Sequence, residues 1–201
     1  MLTPKEQLRN IPEYNLINKT LYFVKLILIA MKKLLILILI LISSCQEKLI
    51  KNDAPLSGII DQENEKTIIV EKLAQGYVDG KFEIAEAYFT QDGVHRVNDA
   101  EYSTEEIIAG YNFHSVLFDN IKHNDAWVTT MIYNNGQVFT NQWARWTGAS
   151  KISGEEYQIF FYCAWQWNDD KIIGTSCYFD TTVFENETKL YQEKINPNGL
   201  N

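Results

Sequence analysis

Four segments in the second half of the chain alternate apolar and polar side chains with a period of two residues. This period predicts β-strands, because successive side chains of a strand point to opposite faces of a sheet. All five tryptophans lie between Trp127 and Trp167, and large aromatic residues are favoured in strands. The Asn135-Gly136 pair and the Asn168-Asp169-Asp170 run predict turns. We expect antiparallel strands over residues 126–133, 137–147, 157–167 and 171–180.

The preceding segment has helical spacing instead. Residues 66–78 space Ile69, Leu73 and Tyr77 as one face of a helix, and residues 82–89 predict a second, short helix. A short strand is expected over 94–97. Ser103 and Glu106 have the spacing of a capping box, which predicts a third helix beginning there. Helices followed by long antiparallel strands predict an α+β domain, with N-terminal helices packed in the concave face of a curved antiparallel sheet.

A different pattern precedes this domain. Met31-Lys32-Lys33 is followed by nine apolar residues over 34–42 and then by Ser43-Ser44-Cys45, which is the layout of a secretory signal. Nine helical residues span about 14 Å, half of a ~30 Å hydrocarbon core. The alternative is a membrane-spanning helix over 21–42. It would place Lys32 and Lys33 near the bilayer centre, at about 3 kcal/mol each.

The ending Ile42-Ser43-Ser44-Cys45 resembles the lipobox of bacterial lipoproteins. The resemblance implies diacylglycerol on the Cys45 thiol, cleavage just before it, and a lipid-anchored location in the bacterial cell envelope. Gln46 follows the cysteine where an Asp would signal inner-membrane retention, so an outer-membrane location is implied.

The pattern also predicts how the chain is organised. We expect translation to begin at Met31, with residues 1–30 an upstream extension; an unusually long N-terminal region of the signal is the alternative. Residues 31–44 are then the signal peptide and 45–63 a polar tether. The folded domain covers 64–184, and residues 185–201 form a polar tail that we expect to be frayed.

The charge balance excludes one class of partner. Six of the 18 Lys and Arg residues and two of the 26 Asp and Glu residues precede Cys45. The chain after cleavage therefore has 12 basic and 24 acidic residues, a net charge of −12. Such a surface repels phosphate backbones, so we expect no nucleic-acid partner.

Several short motifs resemble the nuclear transport factor 2-like superfamily in its SnoaL-like branch, over about residues 64–184. They are Tyr77-Val78-Asp79-Gly80, the run from Ala87 to Val94, Glu105-Glu106-Ile107, Asp170-Lys171-Ile172 and Tyr178-Phe179-Asp180. The resemblance implies a cone-shaped fold that encloses a pocket. Members of that superfamily include isomerases, dehydratases, epoxide hydrolases and many proteins with no known reaction.

Candidate ligand-binding residues lie on both faces of the predicted strands. Alternation places Trp143 with Arg145, and it places Tyr162 and Trp165 on opposite faces of one strand. The alternation does not tell which face is concave. The candidates are Trp143, Arg145, Tyr162, Trp165 and Tyr178.

His95 and Asp180 are the candidate catalytic residues. An imidazole titrates near neutral pH, and the resemblance places Asp180 near the pocket, where it could orient His95 or act as the base itself. The alternative is that His95 is an ordinary strand residue and that Asp180 pairs with Arg145 or caps a turn. We expect His114 and His123 on the surface. No metal-ligand spacing or cofactor motif is recognised in the sequence, so neither a metal nor a cofactor is expected.

Cys163 and Cys177 bear on the register of the last hairpin. A three-residue loop at 169–171 would pair them directly and would pair Tyr162 with Tyr178, whereas a two-residue loop would not. Export permits a disulfide, but direct cross-strand bridges are often strained, and we expect free thiols.

Three functions follow from these observations. The first is a membrane-anchored module whose pocket binds a small apolar or aromatic ligand. The second is an enzyme of the isomerase, dehydratase or hydrolase type that uses His95 and Asp180. The third is an interaction domain whose open sheet face forms a homodimer. We favour them in that order, because the sequence contains no specific acid-base constellation.

Overall fold

The structure is a computed structural model that describes residues 21–35 and 53–196. The chain divides into two compact units, Met1–Lys51 and Asn52–Asn201. In the first unit, residues 21–35 form a helix whose side chains are exposed. Among the described residues, no helix has the length and apolar character needed to cross a membrane. Cys45 lies outside the described residues, so its lipidation stays a prediction.

The second unit contains helices followed by long strands, as predicted. Its helices are α1 (Glu65–Val78), a 3-10 helix (Phe82–Ala87), α2 (Thr104–Leu117) and α3 (Thr182–Ile195). Its strands are β1 (Gly58–Asp61), β2 (Phe89–Val97), β3 (Ala100–Ser103), β4 (Phe118–Tyr133), β5 (Val138–Ser150), β6 (Glu156–Asn168) and β7 (Lys171–Phe179).

The seven strands form one curved sheet in the order β1-β4-β5-β6-β7-β2-β3, and the helices pack on one of its faces. The predicted α+β fold is confirmed. Every neighbouring pair is antiparallel except β2 and β7, which are parallel. Their close approach depends on Gly174, because a Cβ there would collide with the carbonyl oxygen of Val94.

Strand β4 begins at Phe118, eight residues before residue 126, where the two-residue alternation predicted its start. The strand contains two irregularities, between Asp119 and Lys122 and between Asn124 and Trp127. Asn120 and Asp125, which lie in them, have left-handed backbone, with φ of 56° and 51°. Such bulges bend a strand and shift its alternation, which hides the strand from a pattern search.

The predicted helix starts have clear local causes. The Asn64 side chain accepts a hydrogen bond from the Lys66 amide and caps α1. Ser103 and Glu106 form the predicted capping box at the start of α2. The predicted second helix is a 3-10 helix that ends at Ala87.

The core lies between the helices and the concave face of the sheet. Val70 and Leu73 of α1 and Ile107 and Leu117 of α2 pack toward the sheet residues that point inward. A fully buried side chain of this size contributes roughly 1.5–3 kcal/mol. Three tryptophans belong to this core: Trp146, Trp165 and Trp167.

The folded unit extends further than predicted at both ends. Strand β1 lies within the predicted tether and pairs with β4. Helix α3 occupies most of the predicted polar tail, and it buries Phe184 and Glu187. Glu187 accepts hydrogen bonds from Ser150 and Tyr157, which satisfy its carboxylate in the protein interior.

Cys163 on β6 pairs with Cys177 on β7, as the predicted register requires, but the turn between these strands is not the three-residue loop on which that prediction depended. The turn between β6 and β7 has two residues, and an irregularity between Gln166 and Trp167 restores the pairing. The expectation of free thiols is wrong, because the two cysteines form a disulfide. Their Cα atoms are 4.1 Å apart, as in the closely spaced pairs of an antiparallel ladder.

Candidate functional site

The burial of side chains identifies the concave face of the sheet. Trp165 is 3% exposed and points inward, toward the helices. The other four candidate ligand-binding residues lie on the opposite, outer face, where Trp143 is 41% and Tyr178 is 51% exposed. There Trp143 pairs with Tyr162, and Tyr162 pairs with Tyr178. The structure therefore separates Trp165 from Trp143, Arg145, Tyr162 and Tyr178.

A cavity of about 60 Å³ remains inside the cone. Its walls come from all three helices, the 3-10 helix and the four central strands, and they are mostly aromatic. The lining residues are Ala74, Tyr77, Phe82, Tyr111, His114, His123, Gln142, Trp146, Ile159, Phe161, Cys163, Trp165, Phe179 and Phe184. None of these lining residues carries a charged carboxylate, ammonium or guanidinium group.

Three aromatic side chains form a hydrogen-bonded chain in the wall. The Trp146 indole N–H donates to the Tyr77 hydroxyl oxygen at 2.8 Å, and that oxygen lies 2.9 Å from Nδ1 of His114. Burial raises the pKa of Tyr77, so the phenol keeps its proton. We therefore assign the Tyr77 O–H as donor to Nδ1, which leaves the imidazole proton of His114 on Nε2.

His123 completes the polar part of the wall. Its ring stacks on Tyr77 with centroids 5.2 Å apart, and its Nδ1 lies 3.5 Å from Nε2 of Gln142. The expectation that His114 and His123 are surface residues is wrong. His114 follows Ile107 and Tyr111 by seven and three residues, so helical spacing could have placed it on the buried face of α2.

Burial keeps both cavity histidines neutral. It lowers the pKa of His114 to about 3 and the pKa of His123 to about 4, because an imidazolium is poorly solvated there. At pH 7 the two rings can accept or donate hydrogen bonds without charge. A general base works best when its pKa lies near the working pH, so these rings are weak bases.

Trp165 contributes a hydrogen-bond donor without a partner. Its indole nitrogen is buried and has no hydrogen-bond partner among the described residues. Buried donors are normally paired, because an unpaired one costs about 1–3 kcal/mol. A ligand oxygen or a water molecule in the cavity can satisfy such a donor.

A groove between α2 and α3 adjoins the cavity. It has a volume of about 390 Å³ and shares four lining residues with the cavity: Tyr111, His114, Phe179 and Phe184. The Phe184 ring stacks on His114 with centroids 4.2 Å apart. Phe184 therefore lines both the cavity and the groove.

The structure does not bring the candidate catalytic residues together. His95 is fully buried and its ring stacks on Phe89, with centroids 4.4 Å apart. Asp180 is exposed just before α3 and accepts a hydrogen bond from the Thr182 amide. Hydrogen bonds from Thr182 lower the pKa of this carboxyl group. Neither residue lines the cavity.

Both ring nitrogens of His95 are already occupied. The Thr104 hydroxyl donates to the carbonyl of Thr90, so it accepts from Nε2–H of His95 at 3.2 Å. Nδ1 then accepts from the Thr175 hydroxyl at 3.0 Å. Burial lowers the pKa of His95 to about 4. The ring joins β2, β7 and the start of α2 as a neutral group. Among the described residues, no group of three or more His, Cys, Asp or Glu side chains is placed to hold a metal ion.

The fold of this chain is similar to those of several solved structures. No protein-family model and no curated protein sequence matches the chain. PrhC from Penicillium brasilianum is similar in structure, with a TM-score of 0.50 and 16% identity over 68% of this chain and 94% of that one. At this identity the similarity concerns the fold alone.

Two further solved structures score slightly lower. A candidate polyketide cyclase from Xanthomonas campestris has a TM-score of 0.49 at 14% identity, over 62% of this chain and 95% of that one. A candidate SnoaL-like polyketide cyclase from Jannaschia has a TM-score of 0.48 at 16% identity, over 68% and 96%. Neither similarity indicates a shared activity.

Proposed function

We propose that the folded unit binds a small, largely apolar or aromatic molecule inside the cone of its sheet. The observation that supports this best is the cavity wall, which combines aromatic rings with neutral polar groups. Tyr77, His114, His123 and Gln142 are uncharged there, and the indole N–H of Trp165 has no hydrogen-bond partner within the described part of the chain. Ligand sites commonly have this composition, with a few polar groups that orient an apolar ligand.

The ligand must use the neighbouring groove as well. Small-molecule sites usually have about 300–1,000 Å³, and the cavity alone has about 60 Å³. The groove between α2 and α3 adds about 390 Å³ and shares the Phe184 ring with the cavity wall. A ligand that displaces the Phe184 ring would place its apolar part beside Trp165 and its remaining part in the groove.

Catalysis by His95 and Asp180 has less support than binding. His95 is buried with both nitrogens hydrogen-bonded, and Asp180 is exposed and caps a turn. The histidines that do line the cavity have pKa values of about 3 and about 4. Proton transfer at neutral pH would be slow from groups so far from the working pH.

Filling the cavity tests the binding proposal. Ala74 lines the cavity, so Ala74→Leu should fill it and weaken binding of the neutral fluorescent probe N-phenyl-1-naphthylamine at least tenfold. Ala109→Leu is the matched control, because Ala109 is exposed on α2. Circular dichroism should show that both variants are folded. Equal probe affinity in the two variants would contradict an interior site.

We further propose that Cys45 anchors the chain to the bacterial cell envelope through lipid. The supporting features are the cationic start, the nine apolar residues and the small residues before Cys45. The Cys163–Cys177 disulfide supports the export step alone, since disulfides persist mainly outside the reducing cytoplasm. Two or more acyl chains would give stable anchoring, whereas one gives only marginal binding.

Metabolic labelling tests the anchor. Cells that express the full chain should incorporate a fatty-acid analogue into it, and Cys45→Ser should abolish the label and leave an uncleaved precursor. Cys163→Ser, which removes a cysteine of the folded unit, should keep the label. Label that persists in Cys45→Ser would refute anchoring at this residue.

A further inference from the structure

Four aromatic residues form a row across the outer face of the sheet. Trp127 on β4 is paired with Trp143 on β5, Trp143 with Tyr162 on β6, and Tyr162 with Tyr178 on β7. The four residues therefore occupy one register position in four neighbouring strands. With strands about 4.8 Å apart, the row extends roughly 14 Å across the sheet.

Three members of the row, Trp127, Trp143 and Tyr178, are exposed, and the rings from Trp143 to Tyr178 lie close together. Trp127 is 72% exposed, the largest exposure of any described tryptophan. The ring centroids of Trp143 and Tyr162 are 5.2 Å apart, and those of Tyr162 and Tyr178 are 6.2 Å apart with nearly parallel planes. The row lies in an open groove of about 640 Å³. Exposed apolar patches of this kind mark interaction sites.

Polar groups lie on both sides of Trp143 along β5. Arg145, two residues after it, places its guanidinium 5.0 Å from the centre of the Phe160 ring and 3.5 Å from the Asp125 carboxylate. Asn141, two residues before it, accepts a hydrogen bond from the Tyr162 hydroxyl at 2.6 Å. Nε of Arg145 and Nδ2 of Asn141 have no hydrogen-bond partner among the described residues.

Charge limits what can bind to this face. Asp125 and Arg145 are the charged residues that line the groove, and they neutralise each other. A polyanion finds no net positive charge there, and a basic peptide finds one carboxylate that is already paired. A second copy of the chain adds another net charge of −12 after the predicted cleavage, which opposes association.

We propose that the aromatic row binds a neutral oligosaccharide. A pyranose ring has a flat C–H face that packs on an aromatic ring, and its hydroxyl oxygens accept hydrogen bonds from Arg and Asn side chains. A row of aromatic rings with the Arg145 guanidinium beside it suits a chain of such units laid across the strands. This site lies on the face of the sheet opposite the interior cavity, and it does not depend on what the cavity binds.

The test uses the compact unit of residues 52–201, which contains the whole described core. Titration calorimetry would measure binding of cello-, chito-, malto- and manno-oligosaccharides. We expect at least one of these to bind. Trp143→Ala should weaken that binding by roughly thirtyfold, because an aromatic anchor usually dominates such a site. Arg145→Gln should weaken it less, because the aromatic row remains.

Two control variants separate this site from other surfaces. Ile59→Ala truncates an exposed apolar residue of the edge strand β1 and should leave binding unchanged. Ala74→Leu, which fills the interior cavity, should also leave it unchanged, so failure of the interior site and of this site are distinguishable.

Three results would overturn the proposal. The first is no binding to any of the four oligosaccharides. The second is equal affinity in Trp143→Ala and the parent with the fold intact. The third is a concentration-dependent dimer in analytical ultracentrifugation that Trp143→Ala dissociates, which would assign the face to a second copy.

Discussion

Three histidines show how burial decides the state of a titratable side chain. Each has a pKa below its usual value, about 4 for His95, about 3 for His114 and about 4 for His123, and burial is the cause in each case. His95 is satisfied by two threonine hydroxyls, whereas His114 and His123 border the cavity. The same residue type therefore has a structural role in one place and a ligand-facing role in the other.

The lowered pKa values predict acid sensitivity. The unfolded chain binds protons at these histidines near pH 6.5. The folded chain does so only near pH 4 at His95 and His123 and near pH 3 at His114, so stability should fall as pH decreases below 6.5. His95, which is 0% exposed, should contribute a loss on the order of 2 kcal/mol between pH 7 and 4.5. Urea unfolding measured at several pH values tests this.

The matched variant is His95→Gln, which retains polar groups but does not titrate. Its unfolding free energy should be lower at pH 7 and should depend less on pH than that of the parent. An unchanged slope in His95→Gln would show that His95 is not the source of the pH dependence.

Helix α3 was not predicted, because the C-terminal segment is polar in composition. The polar composition of residues 185–201 predicted a frayed tail, yet α3 buries Glu187 there. Just before that tail, Phe184 packs against the rings of His114, Phe118, Trp146 and Phe179. Such a helix is held by a few buried contacts and not by a continuous apolar face. A composition average therefore misses it, since the exposed face outweighs the buried one.

Truncating Phe184 tests the attachment of α3. Phe184→Ala should reduce the free energy of unfolding by about 3–5 kcal/mol, because it leaves a cavity beneath the helix. Phe184 is 9% exposed, whereas Ile195 in the same helix is 56% exposed. Ile195→Ala should therefore change stability by less than about 0.5 kcal/mol. Similar urea midpoints for the two variants would mean that α3 does not depend on Phe184.

At the scale of the whole molecule, one curved sheet separates two environments. Its concave face and the helices enclose the cavity, and its outer face presents the aromatic row. The Cys163–Cys177 disulfide joins β6 and β7 at the cavity wall, in the middle of this sheet. The bridge limits how far the two strands can separate in the unfolded chain.

Loss of the disulfide should lower global stability. The bridge closes a loop between residues 14 positions apart, and a loop of about this length is worth about 3 kcal/mol in the chain-entropy description. The variant Cys163→Ala/Cys177→Ala should unfold at a lower urea concentration than the oxidised parent. Reductant should shift the parent toward the variant and should not change the variant. A midpoint equal to that of the parent would contradict this role.

The local structure of the chain followed from its residues. The capping box at Ser103 and Glu106, the helical spacing in α1 and the Asn135-Gly136 turn each depend on neighbours within a few positions. Their physical causes act at short range, so an isolated sequence contains them. The α+β class followed too, because alternation over long segments requires a sheet with two different faces.

The faces themselves required the tertiary structure. By strict alternation His123 and Trp127 would share a face, but the irregularity at Asp125 places His123 opposite buried Trp146 and Trp127 opposite exposed Trp143. A bulge of one residue moves every side chain beyond it to the other face of the sheet. The position of the bulge depends on pairing with another strand.

The composition of the cavity was decided in the same way. Nothing local distinguishes the inward Trp165 from the outward Trp143, since both are tryptophans in alternating strands. Only the packing of helices against one face makes that face the interior. The sequence by itself determined that a sheet with aromatic residues on both faces would form, and the long-range contacts of the helices determined which aromatic residues enclose the cavity.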